Sequence, residues 1–179
     1  MGVCQVDKTE MLEYTNKVMN TLQGYICNSR PRRFGKSITA NMLTAYYSKG
    51  CDSQDLFAGL KISEASDFKK HLNQYDVLKI NMQEFLSATN DIEHMLKMLN
   101  EYLIFDLKEQ YGQVRFRDEK NLVQVMKDVY SYTKHPFVIL IDEWDCLFRE
   151  YSRTRRHRKN ILIFLDSGLK TKSMLRWPI

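Results

Sequence analysis

Glycine and proline are scarce, with 7 and 3 among 179 residues. That scarcity excludes a collagen-like or low-complexity chain. No Gly/Ser/Pro-rich linker and no internal repeat divides the sequence. The chain therefore reads as one continuous domain over residues 1–179, an ordinary length for a domain of about 100–200 residues. Long apolar runs are missing too. Phe137 to Ile141 and Ile161 to Leu165 are the longest, at five residues each, against the roughly 18–20 needed to cross a bilayer. Met1 to Lys8 has no apolar signal core, and Val6 stands where a myristoylation signal needs Ser or Thr. No membrane association and a cytoplasmic location are expected. Cys4, Cys27, Cys51 and Cys146 form no C-x-x-C pair. They read as reduced thiols acting as small buried apolar residues. His71, His94, His135 and His157 show no metal-ligand spacing, so no zinc site is expected.

What is present is globular. Hydrophobic residues make up 44% and charged residues 27%, which excludes wholesale disorder. The net charge of +5 is concentrated. Arg149, Arg153, Arg155, Arg156, Arg158 and Lys159 face one acid, Glu150, in a single window; the remainder is neutral.

Periodicity predicts helices and strands in alternation. Helices are expected over Thr9 to Met19, Ser37 to Tyr47, Asp91 to Tyr111, Leu122 to Tyr132 and Ile161 to Leu169. In the second, Ile38, Met42, Leu43 and Tyr46 share a side, and Gly50 is a plausible stop. The Met and Leu stripe of the third reads as core. Strands are expected at Tyr25 to Cys27, Val77 to Ile80 and Phe137 to Ile141. The last has no alternation and follows Pro136, as a strand buried on both faces does. The fold class implied is α/β, a mostly parallel sheet covered on both faces.

The most informative stretch is Arg30-Pro31-Arg32-Arg33-Phe34-Gly35-Lys36-Ser37. Its last three residues match the phosphate-loop pattern G-x-x-x-x-G-K-[ST], with Arg30 in place of the first glycine. A triphosphate needs converging backbone N–H donors at a positively polarised helix end. Gly35 lets the backbone approach, Lys36 places a compact charge on the phosphates, and Ser37 offers a hydroxyl to Mg²⁺. Pro31 pushes Arg30 toward an extended conformation. The bland alternative is a basic turn capping a helix. Arg32 and Arg33 could equally touch phosphate or pair with acids.

The acidic partner is Asp142-Glu143-Trp144-Asp145, directly after the buried strand. In open α/β sheets ligands bind outside the carboxyl ends of the strands. Asp142 is the candidate Mg²⁺ holder and Glu143 the candidate general base for an attacking water. Asp145 reads as a helix cap.

Together these residues resemble the AAA-ATPase-like domain family of bacterial proteins, whose members often carry a PD-(D/E)XK nuclease-like domain as well. Val6-Asp7-Lys8-Thr9, the Arg30 to Ser37 loop and Leu56 to Ile62 carry the resemblance, with Asn81-Met82-Gln83-Glu84-Phe85 and Asp142 to Asp145. In that family the loop is commonly R-P-R-R-F-G-K-[ST], so Arg30 is a family trait. The resemblance implies a P-loop NTPase fold with three α/β/α layers and ATP as ligand. Arg30, Pro31, Arg32, Arg33, Phe34, Gly35, Lys36 and Ser37 would form the Walker A-type loop. Asp142 and Glu143 would form the Walker B-type acids. Lys36 and Glu143 are the expected catalytic residues, and Ser37 and Asp142 the expected metal ligands. Family members continue with further strands, a sensor residue and an arginine; this chain stops at Trp177-Pro178-Ile179. It reads as C-terminally truncated, its sheet incomplete and its nuclease-like domain missing.

The leading expectation is ATP binding, with Mg²⁺-dependent hydrolysis as the further step. The alternative is a nucleotide-dependent interaction module that does not hydrolyse, or a truncated gene product. Nucleic-acid contact through 153–159 is the reading the charge run adds, although no aromatic residues interleave there. Oligomerisation is left open.

Overall fold

The computed structural model describes residues 7–19, 21, 24, 26–28, 35–89, 91–146 and 174–178. It begins with α1 (Glu10–Val18) and α2 (Lys36–Tyr47), followed by two short helices, α3 (Gln54–Phe57) and α4 (Phe68–His71), with a 3-10 turn (Lys61–Glu64) between them. Strand β1 (Asp76–Asn81) leads into α5 (Met82–Ser87), α6 (Ile92–Gln110) and α7 (Leu122–Thr133). Strands β2 (Phe137–Asp142) and β3 (Met174–Pro178) complete the order.

The three strands form one parallel sheet in the order β1-β2-β3. Asp76 lies opposite Phe137 and Asn81 opposite Asp142, so the carboxyl ends of β1 and β2 are level. On the other side Phe137 pairs with Met174 and Ile141 with Pro178. Among the described residues β3 pairs with β2 alone, and its proline stands at the strand's last position.

All six residues of β2 are buried. Its side chains alternate between two separate cores. Phe137, Ile139 and Ile141 pack with α5, α6 and α7. Val138 and Leu140 pack with α1, α2, α3, the 3-10 turn and α4. Helices thus cover both faces of the sheet, as the unalternating apolar run requires.

Cap chemistry sets the helix starts. The Asp91 carboxylate accepts from His94 N at 2.7 Å to begin α6. The Asn121 side chain accepts from Gln124 N at 3.2 Å to begin α7. Along α6, Ile92, Met95, Leu99, Leu103 and Leu107 are buried at helical spacing, so the stripe is core as expected.

A buried hydroxyl network holds α1 against α2. Tyr47 OH donates to Asn16 Oδ1 at 2.8 Å and lies 2.5 Å from Thr15 Oγ1. Asn16 Nδ2 donates to Tyr46 OH at 3.1 Å, and Tyr46 OH donates to the Phe68 carbonyl at 3.0 Å. Burial pushes the Tyr46 phenol up to about 12, against the opposing hydrogen bond from Asn16.

Several expectations are corrected. Ile26 and Cys27 are not in a strand; Tyr25 lies outside the described residues. The third strand is Met174–Pro178 instead. On α2 the buried side is Thr39, Ala40, Leu43, Tyr46 and Tyr47, while Ile38 is 68% exposed. Apolar spacing grouped Ile38 with Met42, Leu43 and Tyr46, but the buried arc is centred near Leu43 and Tyr47 and Ile38 falls outside it. Helix α2 ends at Tyr47 as expected, but its cap is Ser48, extended and bridging Tyr75, rather than Gly50. Cys27 and Cys51 are exposed and only Cys146 is buried among the described cysteines. The expected helix over Ile161 to Leu169 and Cys4 lie outside the described residues.

Two outcomes follow. Tyr47→Phe should lower unfolding free energy by about 1–3 kcal/mol, because a buried Asn16 oxygen loses its donor; Tyr14→Phe, at an exposed ring, should change nothing. Urea denaturation of both variants decides it. The second concerns Asp128, which is buried yet held below the usual carboxylate range. Burial alone would raise it, but hydrogen bonds from Arg117 N, the Arg117 side chain and Gln124 outweigh that. Its stabilisation is complete above the unfolded value of about 3.9 and is lost as pH falls through the lower folded value. Asp128→Asn should therefore be less stable at pH 7 and lose less stability between pH 5 and 2, measured by denaturation at each pH.

Candidate nucleotide site

Helix α2 starts at Lys36, directly after Gly35, whose φ of 78° and ψ of 31° are left-handed. An L side chain costs about 1–2 kcal/mol in that region, so glycine is what lets the chain enter the helix from this direction. The Gly35 carbonyl accepts from both Thr39 N and Thr39 Oγ1, each at 3.0 Å. Ser37 is exposed on the first turn, and that turn carries no acid. Its first N–H groups, which have no partner within the helix, and the aligned peptide dipoles make this end positive.

Strand β2 delivers the acids. Asp142 is its last residue and is 4% exposed. One of its oxygens, Oδ1, accepts from Glu143 N at 2.9 Å. Glu143 has a φ of 55°, and a non-glycine residue there stores about 1–3 kcal/mol of strain. That turn throws the chain out of the sheet; Cys146 N then closes onto the Glu143 carbonyl at 3.0 Å. Glu143 is half-buried at the strand mouth.

The two motifs meet. Lys36 Nζ lies 3.9 Å from Asp145 Oδ1, with the lysine side chain 13% exposed and the aspartate 39%. At that distance and with the aspartate open to solvent, such a pair contributes little stability; its value here is to mark the lysine as facing the acidic turn. Asp145, expected as a helix cap, directly precedes Cys146, where helix begins, and is also the acid paired with Lys36. The spacing of the two motifs in sequence carried no signal for that contact.

A second amine stands beside the glycine. A methyl group added at Gly35 would lie 2.9 Å from Lys8 Nζ. The residues on each side of Lys8 are anchored. Asp7 Oδ1 accepts from Thr9 N at 2.8 Å and Thr9 Oγ1 at 2.7 Å, and Asp7 Oδ2 accepts from Lys61 N at 2.9 Å. Those three donors, Lys61 N foremost, hold the Asp7 carboxyl below its usual range. Thr9 Oγ1 accepts in turn from Ile62 N at 3.2 Å. The Val6-Asp7-Lys8-Thr9 string stood out in the sequence, but nothing in it indicated nearness to Gly35. Arg30, Pro31, Arg32, Arg33 and Phe34 lie outside the described residues, as does the basic segment 153–159.

The model of a family described as predicted AAA-ATPase matches residues 1–177. The chain belongs to this AAA-ATPase-like family. No curated protein and no solved structure matches it. Among the described residues no helix is long and apolar enough to cross a membrane.

Gly35→Ala should lower stability by about 1–2 kcal/mol, from the left-handed backbone, with the methyl also pressing on Lys8 Nζ. Gly50→Ala, where an added methyl meets only Ser48 Oγ at 3.6 Å, is the control in the same thermal melt.

Proposed function

We propose that the chain is a P-loop NTPase-type domain that binds ATP through Gly35, Lys36 and Ser37 and hydrolyses it with Mg²⁺ at Asp142 and Glu143. The observation that carries this reading is one juxtaposition. The positive start of α2, with Lys36 on it, faces the acidic turn that leaves the carboxyl end of the central strand. Family membership supports a nucleotide as the ligand.

The residues suit the groups they are assigned. Gly35 has no side chain to hold a phosphate off the backbone, and a carboxylate and a hydroxyl are hard oxygen donors of the kind Mg²⁺ takes. Ser37 and Asp142 would hold the ion, which, when bound, neutralises phosphate charge. Lys36 exchanges Asp145 for the phosphate chain and fixes it electrostatically. Glu143, on the left-handed turn directly after the strand, orients a water for in-line attack and accepts its proton. Asp142 stays fixed by its bond to Glu143 N. The work is positioning and charge compensation, with no covalent intermediate on the protein. Loop residues Arg30, Pro31, Arg32, Arg33 and Phe34 complete the phosphate cradle in this reading.

Calorimetric titration of ATP with Mg²⁺ tests it. Lys36→Ala should weaken ATP binding at least tenfold, about 1.4 kcal/mol. Glu143→Gln should keep the affinity and lower turnover at least about 100-fold. Unchanged ATP affinity in Lys36→Ala would overturn the assignment.

A further inference from the structure

We infer that Lys8 is a second phosphate-binding cation of the nucleotide site, supplied by the segment before α1. The inference rests on the nucleotide reading above and extends it to a residue outside both motifs. Its starting point is position: Lys8 Nζ is so close to the Gly35 backbone that a single added methyl would reach it at 2.9 Å. Gly35 is the residue preceding the first turn of α2, so the amine sits at the end of the helix where cations are disfavoured. A positive charge there opposes the helix dipole, and Lys36 already occupies the same end. With Lys36 exchanged from Asp145 to a ligand, two ammonium groups and a helix N-terminus converge on one place, and a polyphosphate is the anion the proposed site takes.

The placement is not the result of a loose side chain. Asp7 and Thr9 are both tied to Lys61 and Ile62 across 53 or 54 residues of sequence, and Thr9 is 3% exposed. Lys8, between two anchored neighbours, leaves this turn from a fixed point and is aimed at Gly35. Asp7 is therefore a positioning residue for Lys8, and the 3-10 turn at Lys61–Glu64 is the platform. This gives the early Asp-Lys-Thr string a role that a plain helix start does not explain. Thr9 makes no side-chain cap bond to α1; its hydroxyl is used on the platform instead.

Lys8 acts by charge on the phosphate chain, which sets apart its effects from those of a structural lysine. In calorimetric titrations of the full chain with Mg-ATP, Lys8→Ala and Lys8→Met should each weaken binding about tenfold. Lys8→Arg should restore it to within about threefold. The slope of log affinity against log salt should fall by about one in Lys8→Met. Inorganic triphosphate, competing against Mg-ATP, should lose affinity by the same factor as ATP, since the lysine recognises phosphate rather than base. Thermal melts of every variant check that each is folded at the titration temperature. Lys36→Ala runs in parallel. If it weakens ATP while Lys8→Met leaves affinity and salt slope unchanged, Lys8 is not a phosphate ligand and the nucleotide reading stands. If the unaltered chain binds no ATP, both fall together. If Lys8→Arg binds as poorly as Lys8→Met, the role is one of shape and the charge inference is overturned.

Discussion

Everything in this fold depends on the complete desolvation of β2. Six consecutive residues from Phe137 to Asp142 are out of water, and each brings a backbone donor and acceptor that must be paired. Parallel neighbours on both sides supply the partners. Helices on both faces supply the apolar cover. Because side chains alternate at a period of two, one strand seeds two cores that share no residue. A slip of one residue would exchange Phe137, Ile139 and Ile141 with Val138 and Leu140, placing each set in the cavity shaped for the other. The register that keeps the cores apart also fixes where the strand ends, and so places Asp142 and the turn after it.

The sheet carries an aspartate at each end of its paired strands, and the two are used differently. At the amino end, Asp76 Oδ1 is taken by Lys49 Nζ at 2.6 Å and by Tyr111 OH at 2.5 Å. Lys49 Nζ also lies 4.9 Å from the Tyr111 ring centroid. Burial, with the hydrogen bond to Asp76, pushes the Tyr111 phenol well up. This acid ties the end of α2, the start of β1 and the end of α6 into one knot. At the carboxyl end, Asp142 Oδ1 accepts a neighbouring backbone N–H, and Lys36 is paired loosely with Asp145, three residues on. The tight, short-range pairing at one end suits structure. The looser arrangement at the other suits exchange for a ligand, and it lies where parallel sheets bind theirs.

The long elements were legible in the sequence because each carries its own signal. The stripe from Ile92 to Leu107 and the unbroken run from Phe137 to Ile141 needed no tertiary information. The short pieces, α3, α4 and the 3-10 turn, are too brief for any period to register; they exist because Phe57, Ile62 and Phe68 each insert into the core against Tyr46 or its neighbours. Strand β3 was missed because Met174 to Pro178 mixes a charge, a tryptophan and a proline, and its place is defined by pairing with β2. The same limit applied at the site. The motif residues Gly35, Lys36, Ser37, Asp142 and Glu143 could be named from spacing and strand context. The contacts of Lys36 with Asp145 and of Lys8 with Gly35 could not, since both join segments through space.

Rigidity is distributed unevenly across this site, and the distribution has a physical cause. Helix α2 is held at both ends and along its face. Thr39 grips the Gly35 carbonyl at its start, and Tyr46 and Tyr47 lock its last turn to α1 through buried hydroxyls. Beyond its end, Ser48 and Lys49 pair with Tyr75 and Asp76. It touches both β1 and β2. A phosphate bound at its start would thus be referenced to the whole sheet through one stiff rod. Glu143 is placed by the opposite means: a single strained residue between a fixed strand end and the Cys146 turn. Strain of that kind persists only where the surroundings over-determine the backbone, and here the buried Asp142 on one side and the buried Cys146 on the other do so. The fold spends its packing on holding the α2 side still, whereas Glu143 is held by a left-handed backbone of the kind that Asn73 and Lys134 also adopt.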